Sequence, residues 1–239
     1  MSTQLREEQL KKQNEILVRL AKLTTVAGGD LKTRLPLITR MIGEIFTLDR
    51  AGIWLHNRGK TKLLCADLLQ MANGIHTSGV EFFRRDYYAY FEELDRGKVI
   101  VADDIRSNPL TASFAKEYFD PFGIRSVIDV PLRIGVQIMG VIRCERARPG
   151  QAWTQEEEVF AGGIADLVSL AIESTERRRI EILNHAVYRI AQATETVKDL
   201  GELYEAIHRI IQSVMPANNF YIAHYDAKAD MISFPYFVD

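Results

Sequence analysis

RSVIDVPLRIGVQIMGVIRCE, residues Arg125 to Glu145, decides the fold. Two runs of β-branched and aliphatic residues, Ser126 to Ile134 and Gln137 to Cys144, flank Gly135-Val136. A glycine at the first central position of a two-residue loop suits a type II′ turn, because glycine reaches positive φ without steric cost. The stretch therefore reads as an antiparallel hairpin. Its strands are apolar on both faces, which implies a sheet covered on each side, with helices as the available cover. Asp129, Arg143 and Glu145 interrupt that apolar ribbon, and ionic groups in a covered sheet need partners, water or a ligand.

The rest of the chain supplies the cover. Leu5, Leu10, Leu17 and Leu20 recur among Glu, Lys and Gln, predicting an amphipathic helix over 4–25, stopped by Gly28-Gly29, with Asp30 capping the next helix. Leu35, Ile38, Met41, Ile42, Ile45 and Phe46 give a core-facing helix over 31–47. A second hairpin follows, with strands at 51–56 and 62–69 about a turn at 57–60. The middle, 74–123, is irregular and aromatic: a short helix over 86–96 with Asp86 as N-cap, a strand at 98–102, and a helix over 109–122 with Pro109 in its first turn. Its many aromatic side chains could line a ligand cavity or simply close one face of the sheet.

Thr154 and Glu157 form a capping box for a long proline-free helix running towards Lys198. Ala161, Ala165, Val168 and Ile172 make one apolar seam; Ile180, Leu183, Val187, Ile190, Thr194 and Val197 make another. The phase shifts at Glu173 to Arg179, where a domain's last helix becomes a connector. Residues 184–194 (NHAVYRIAQAT) then repeat 14–24 (NEILVRLAKLT), and the segment from Leu203 repeats the helix-to-strand order of Arg34 onward. A tandem array is the simplest account, with the second copy broken off at Asp239.

The net charge of −2 gives no reason to expect a nucleic acid or an anionic membrane as partner. The polar start MSTQLREEQLKKQ is unlike a signal peptide, and no apolar run is long enough to span a bilayer, so a cytoplasmic location is expected. Cys65 and Cys144 show neither CxxC nor zinc spacing and read as reduced, buried thiols. His56, His76, His185, His208 and His224 show no pairing at ligand spacing, so no metal site is expected, and His76 reads as a surface residue.

Taken together, the two hairpins, the aromatic middle, the SVIDVP motif with Ser126, Asp129 and Pro131, then Gly140-Val141, Cys144-Glu145, Trp153-Thr154, Glu157 and Phe160 resemble a GAF domain of the bacterial signalling type. The resemblance covers Leu17 to about Thr175. It implies an α+β fold of the GAF/PAS kind: a six-stranded antiparallel sheet, N- and C-terminal helices on one face, short helices and loops with a small-molecule pocket on the other. The expected organisation is a helix or connector at 1–15, a GAF domain at 16–175, a helical connector at 176–198 and the start of a second GAF domain at 199–239. Dimerisation through the terminal helices is usual in such proteins. Arrays of this kind occur in sensor histidine kinases of two-component systems and in cyclic di-GMP enzymes, which would place an output domain after Asp239.

Departures from the family's subgroups leave the ligand and any cofactor unnamed. Asn108-Pro109 and Phe114 with Tyr118-Phe119 depart from the cyclic-nucleotide pattern. Cys65 precedes Ala66 and Cys144 precedes Glu145, against a covalently held bilin, and two separated cysteines fall short of the cluster in free methionine sulfoxide reductases. Pocket candidates are Tyr88, Phe114, Tyr118, Ser126, Asp129, Arg143 and Glu145; no catalytic residue is assigned. A plain two-residue turn would set Arg143 opposite Ile128 and Glu145 opposite Ser126, with Asp129 on the other face, whereas a three-residue loop would bring all three charges to one face. There Arg143 could grip a carboxylate or phosphate, or the charges could pair internally. The expected role is a non-enzymatic sensory module that binds a small molecule or relays a signal along a dimeric coiled coil. The alternatives are a redox enzyme on this fold and a structural dimerisation spacer.

Overall fold

The computed structural model describes residues 11, 14–22, 31–148, 150–197 and 199–239. Leu5, Leu10 and the Gly28-Gly29-Asp30 junction lie outside the described residues. Contacts divide the chain into two units, Met1–Thr175 and Glu176–Asp239.

In the first unit, helix α1 (14–22) precedes α2 (Leu31–Phe46), then strands β1 (Arg50–His56), β2 (Lys62–Gln70), β3 (Ile75–Thr77) and β4 (Glu81–Phe83). Helix α3 (Tyr88–Asp95) and strand β5 (Ile100–Ala102) follow. Helix α4 (Ala112–Phe114) widens into a π-helical turn, Ala115–Phe119, and tightens into a 3₁₀ turn, Asp120–Phe122. The hairpin β6 (Ser126–Ile134) and β7 (Gln137–Arg146) leads to α5 (Gln155–Thr196).

All strand pairings are antiparallel, in the order β3-β2-β1-β7-β6-β5, with β4 also on β2. The sheet thus has seven strands where six are expected. The edge is split: β3 pairs with Leu68–Gln70 and β4 with Lys62–Leu64, and between them the chain turns through Gly79 at φ +89°. Only glycine adopts that conformation without strain.

Apolar alternation along the strands makes two cores. Ile128, Val130, Leu132, Ile142 and Cys144 meet Ile16 and Leu20 of α1, Leu35, Ile38 and Ile42 of α2, and Ala161, Ile164, Ala165, Val168 and Ile172 of α5. On the other face Trp54, Leu63, Cys65, Val127 and Val141 meet Phe82, Phe91 and Leu94, and Phe114, Tyr118 and Phe119. Helix α3 opens without Asp86 as its cap: Tyr87 holds that position with no side-chain bond, because residues 86 and 87 both turn back onto the Phe83 carbonyl. At α5 the capping box forms, with Glu157 N–H donating to Thr154 Oγ1 at 3.2 Å and Thr154 N–H to Glu157 Oε2 at 3.0 Å.

The hairpin that opens the sequence combines both registers considered for it. Gly135 has φ +58° while Val136 is not left-handed, as a type II′ turn requires, and Ile134 faces Gln137 across two residues. One step further Arg133 faces Ile138 but Leu132 faces Gly140, leaving Met139 as a β-bulge. A bulge moves every later side chain of its strand to the other face. Arg143 therefore lies opposite Asp129 rather than Ile128.

In the second unit, α6 (Leu200–Gln212) starts at Asp199, whose carboxylate accepts the Glu202 N–H at 2.9 Å, and is followed by the hairpin β8 (Phe220–Asp226) and β9 (Met231–Val238). His208 stacks on Phe220, donates from Nε2 to the Ala217 carbonyl at 2.7 Å and bonds through Nδ1 to the Tyr236 hydroxyl at 3.0 Å. Among the described residues no helix is long and apolar enough to cross a membrane.

Candidate functional site

Three neighbouring strands place ionic groups side by side beneath the aromatic cover. On β1, Arg50 pairs with Glu145 and Gly52 with Arg143; on β6, Val127 pairs with Glu145 and Asp129 with Arg143. Side chains at directly paired positions share a face, so Arg50, Asp129, Arg143 and Glu145 all project away from the helices. Gly52 makes the arrangement possible: a Cβ there would lie 3.0 Å from the Trp54 indole nitrogen and 2.9 Å from Leu68 Cδ1.

Arg143 is 1% exposed and Asp129 fully buried. The guanidinium grips the carboxylate through Nε (2.9 Å to Oδ1) and Nη2 (2.7 Å to Oδ2), and Tyr90 donates its hydroxyl proton to Oδ2 at 2.6 Å. Burial alone would lower the arginine pKa; Asp129 overrides that and raises it, so Arg143 stays charged. Burial, then the Asp129 charge, also drives the Tyr90 hydroxyl well above its ordinary range, keeping it a proton donor. Around the cation stand the rings of Trp54, Phe82, Tyr90, Phe114, Tyr118 and Phe119, with centroids 5.3–5.6 Å from Cζ. Each presents negative π density to the guanidinium, the geometry of an aromatic cage.

A second ion pair sits beside the first. Arg50 Nε lies 3.2 Å from Glu145 Oε2, and Arg50 Nη2 donates to the Tyr118 hydroxyl at 3.1 Å. The Phe122 ring stacks on Arg50 with its centroid 3.9 Å from Cζ. Burial pushes the Glu145 carboxyl pKa up, against the pull of Arg50 and Arg143. Tyr118 adds to that pull towards the carboxylate. Both Glu145 oxygens, Arg50 Nη1, Arg143 Nη1 and Trp54 Nε1 are buried without a hydrogen-bond partner among the described residues.

Of the seven residues singled out from sequence, five come together here: Phe114, Tyr118, Asp129, Arg143 and Glu145. Tyr88 does not, being 62% exposed; Tyr87 and Tyr90 carry the inward face of α3, with Tyr87 stacked on Phe114 at 3.8 Å. Ser126 does not either. It pairs with Arg146 on the helix side, where Arg146 lies over Trp153 at 3.7 Å and bonds to Glu157 and the Phe46 carbonyl. Sequence reasoning missed Arg50, Trp54 and Phe82, and left Phe119 undistinguished among the aromatic residues of the middle. The π-helical turn explains Phe119: an extra residue per turn brings the consecutive Tyr118 and Phe119 to the sheet together.

Cys65 belongs to the aromatic side and Cys144 to the helix side, so the sheet separates them. Burial pushes the Cys65 thiol up to about 12 and raises Cys144 further. His76 is not a free surface group. Its Nδ1 lies 3.0 Å from the buried Asp67 carboxylate, which also accepts the Thr39 hydroxyl at 2.5 Å. Among the described residues no group of three or more His, Cys, Asp or Glu could hold a metal ion.

An antiparallel sheet with helices on one face and a charged, aromatic-covered cluster on the other defines an α+β domain of the GAF kind. The chain belongs to the GAF domain family, whose model matches residues 30–172. Its fold is similar to that of the bacteriophytochrome RpBphP3 from the photosynthetic bacterium R. palustris (16% identity, TM-score 0.64), over 95% of this chain and 49% of that one. The chain thus spans about half the length of that protein. Similar also are the GAF domain of an Acinetobacter phosphoenolpyruvate-protein phosphotransferase (15% identity, TM-score 0.56, 74% of this chain and 97% of that) and the free methionine-R-sulfoxide reductase of Neisseria meningitidis in complex with its substrate (16%, 0.56, 70% and 91%). No curated protein sequence gives a significant match.

Proposed function

We propose that this chain is a non-enzymatic regulatory GAF module that passes a change at the Arg143 cluster into a dimeric helical connector, and thence to an output domain of a bacterial signalling protein. The observation that carries this reading is α5. It is one uninterrupted helix of 42 residues, rooted in the helix-side core through Ile172 and bearing an exposed second seam: Ile180 at 56%, Leu183 at 44% and Val187 at 67%. Apolar side chains at alternating three- and four-residue steps fit a parallel partner helix. The repeat of helix and hairpin after Asp199 supports a second GAF domain beginning there. A redox enzyme finds less support, since its two thiols are separated by the sheet and held protonated.

Single cysteines at Ile180 and Leu183 test the reading in the whole chain, because native Cys65 and Cys144 are buried. Oxidation should join two chains through either position and not through a control at Gln192 on the outer face. A chain that stays monomeric, with no crosslink at either seam position, removes the connector.

A further inference from the structure

We infer that His56 is a proton-operated latch for α3: as a neutral ring it lets the helix lie on the sheet, and on protonation it releases the helix and with it the hold of Tyr90 on Asp129. This goes beyond the relay proposed above and does not depend on it, since it concerns what moves the aromatic cover, whether or not the movement reaches α5.

His56 closes β1 opposite Leu63, two residues after Trp54 and so on the same face of the sheet. Its ring lies tilted against Phe91 at a centroid distance of 5.7 Å, and both ring nitrogens are enclosed, with no side chain bonded to them among the described residues. A neutral imidazole tolerates that place; a cation with two N–H groups to satisfy does not. Burial is the largest influence and holds the imidazole pKa below its ordinary range. Asp95, at the end of α3, and the Lys62 backbone on β2 favour the cation, whereas Arg84, just after β4, and Lys60, in the β1–β2 turn, oppose it.

Asp95 is already engaged. Arg84 holds it at 2.7 Å, donates from Nε to the Lys60 carbonyl at 2.8 Å and lies over the Phe91 ring at 4.9 Å, so one side chain clamps the turn, the helix end and the ring. A proton on His56 sets a second cation beside this clamp. The two compete for Asp95, and the imidazolium reaches water by lifting the last turn of α3, which buries Phe91 and Leu94. Tyr90, the neighbour of Phe91, is carried along and leaves Asp129, to which it donates at 2.6 Å. Acid thereby loosens the cover over Arg143. A histidine whose pKa is lowered on folding costs nothing while neutral, and destabilises the closed arrangement progressively as pH falls through its ordinary range towards the lowered value.

The imidazole C–H resonances of the whole chain are followed by NMR from about pH 8 to about pH 5, with His56 assigned through its couplings to the backbone. His56 should titrate below the ordinary imidazole range. Asp95→Asn should move its midpoint down and Arg84→Gln should move it up, each by roughly half a pH unit. Hydrogen exchange of the α3 amides supplies the second readout: the ratio of the wild-type rate to that of His56→Phe should be about fivefold greater at about pH 5.5 than at about pH 7.5. The two clamp variants alter partly exposed side chains and keep the test open should His56→Phe not fold. A midpoint at or above the ordinary range, shifts of the same sign in both clamp variants, or an exchange ratio that stays constant with pH would overturn the proposal.

Discussion

Asp129 and Arg143 are worth more as a pair than either is alone. Breaking a buried ion pair leaves an uncompensated charge, whereas replacing both partners with apolar groups of similar volume is often neutral. Asp129→Asn should therefore destabilise the fold by about 3–5 kcal/mol, and Asp129→Leu with Arg143→Met should recover most of that loss; urea unfolding of the three proteins measures it. If the double variant is as unstable as the single one, the pair contributes through its aromatic cage rather than its charge. Glu157 makes a pH-dependent contribution. Burial works to raise its carboxyl pKa, but the bonds from Arg146 and Thr154 prevail and hold it below the usual carboxylate range. A carboxyl lowered on folding contributes stability above its unfolded pKa and loses it as pH falls through the folded value. Glu157→Gln, which can still cap α5, should cost about 2 kcal/mol at neutral pH, with the gap from wild type closing below about pH 4.

At the scale of elements, the bulge at Met139 determines which face the chemistry occupies. It turns Arg143 and Glu145 toward Asp129 and Arg50. Gly140, just after it, lets β1 approach: a Cβ there would come within 3.0 Å of Leu55 Cα and nearer still to the Trp54 carbonyl. Backbone atoms cannot swing aside as a side chain does, so Gly140→Ala should cost about 2–3 kcal/mol and broaden the Trp54 resonances, readable by thermal unfolding and NMR. The hairpins, the capping box and the core-facing helices were legible because periodicity and turn residues are local. The bulge was not, since Ile138-Met139-Gly140 reads equally well in either register and only packing against both faces decides. Tyr88 was chosen over Tyr87 and Tyr90 although Tyr87, Phe91 and Leu94 already stand at helical spacing, a signal that was present. Arg50 could not be assigned from pattern, because its partner Glu145 is distant in sequence and adjacent only through the β1–β7 register.

Across the whole molecule, apolar burial is unevenly distributed. The first unit buries two apolar layers around its sheet. In the second, α6 buries His208 and Ile210, but the hairpin leaves Tyr221, Ile232, Phe234 and Phe237 between 56% and 64% exposed. Exposed rings gathered on one small hairpin make a surface that binds apolar dyes and associates readily. A chain ending at Thr175 should keep the thermal midpoint of the first unit to within about 3 °C, since both of its cores remain complete, and should lose most of the dye fluorescence of the full chain. Separate positions of the two readouts distinguish two cases. A fall in midpoint together with loss of the near-ultraviolet aromatic signal would mean that α5 beyond the phase break supports the Arg143 cage, and the cage and connector would then be a single cooperative unit rather than a domain and its outlet.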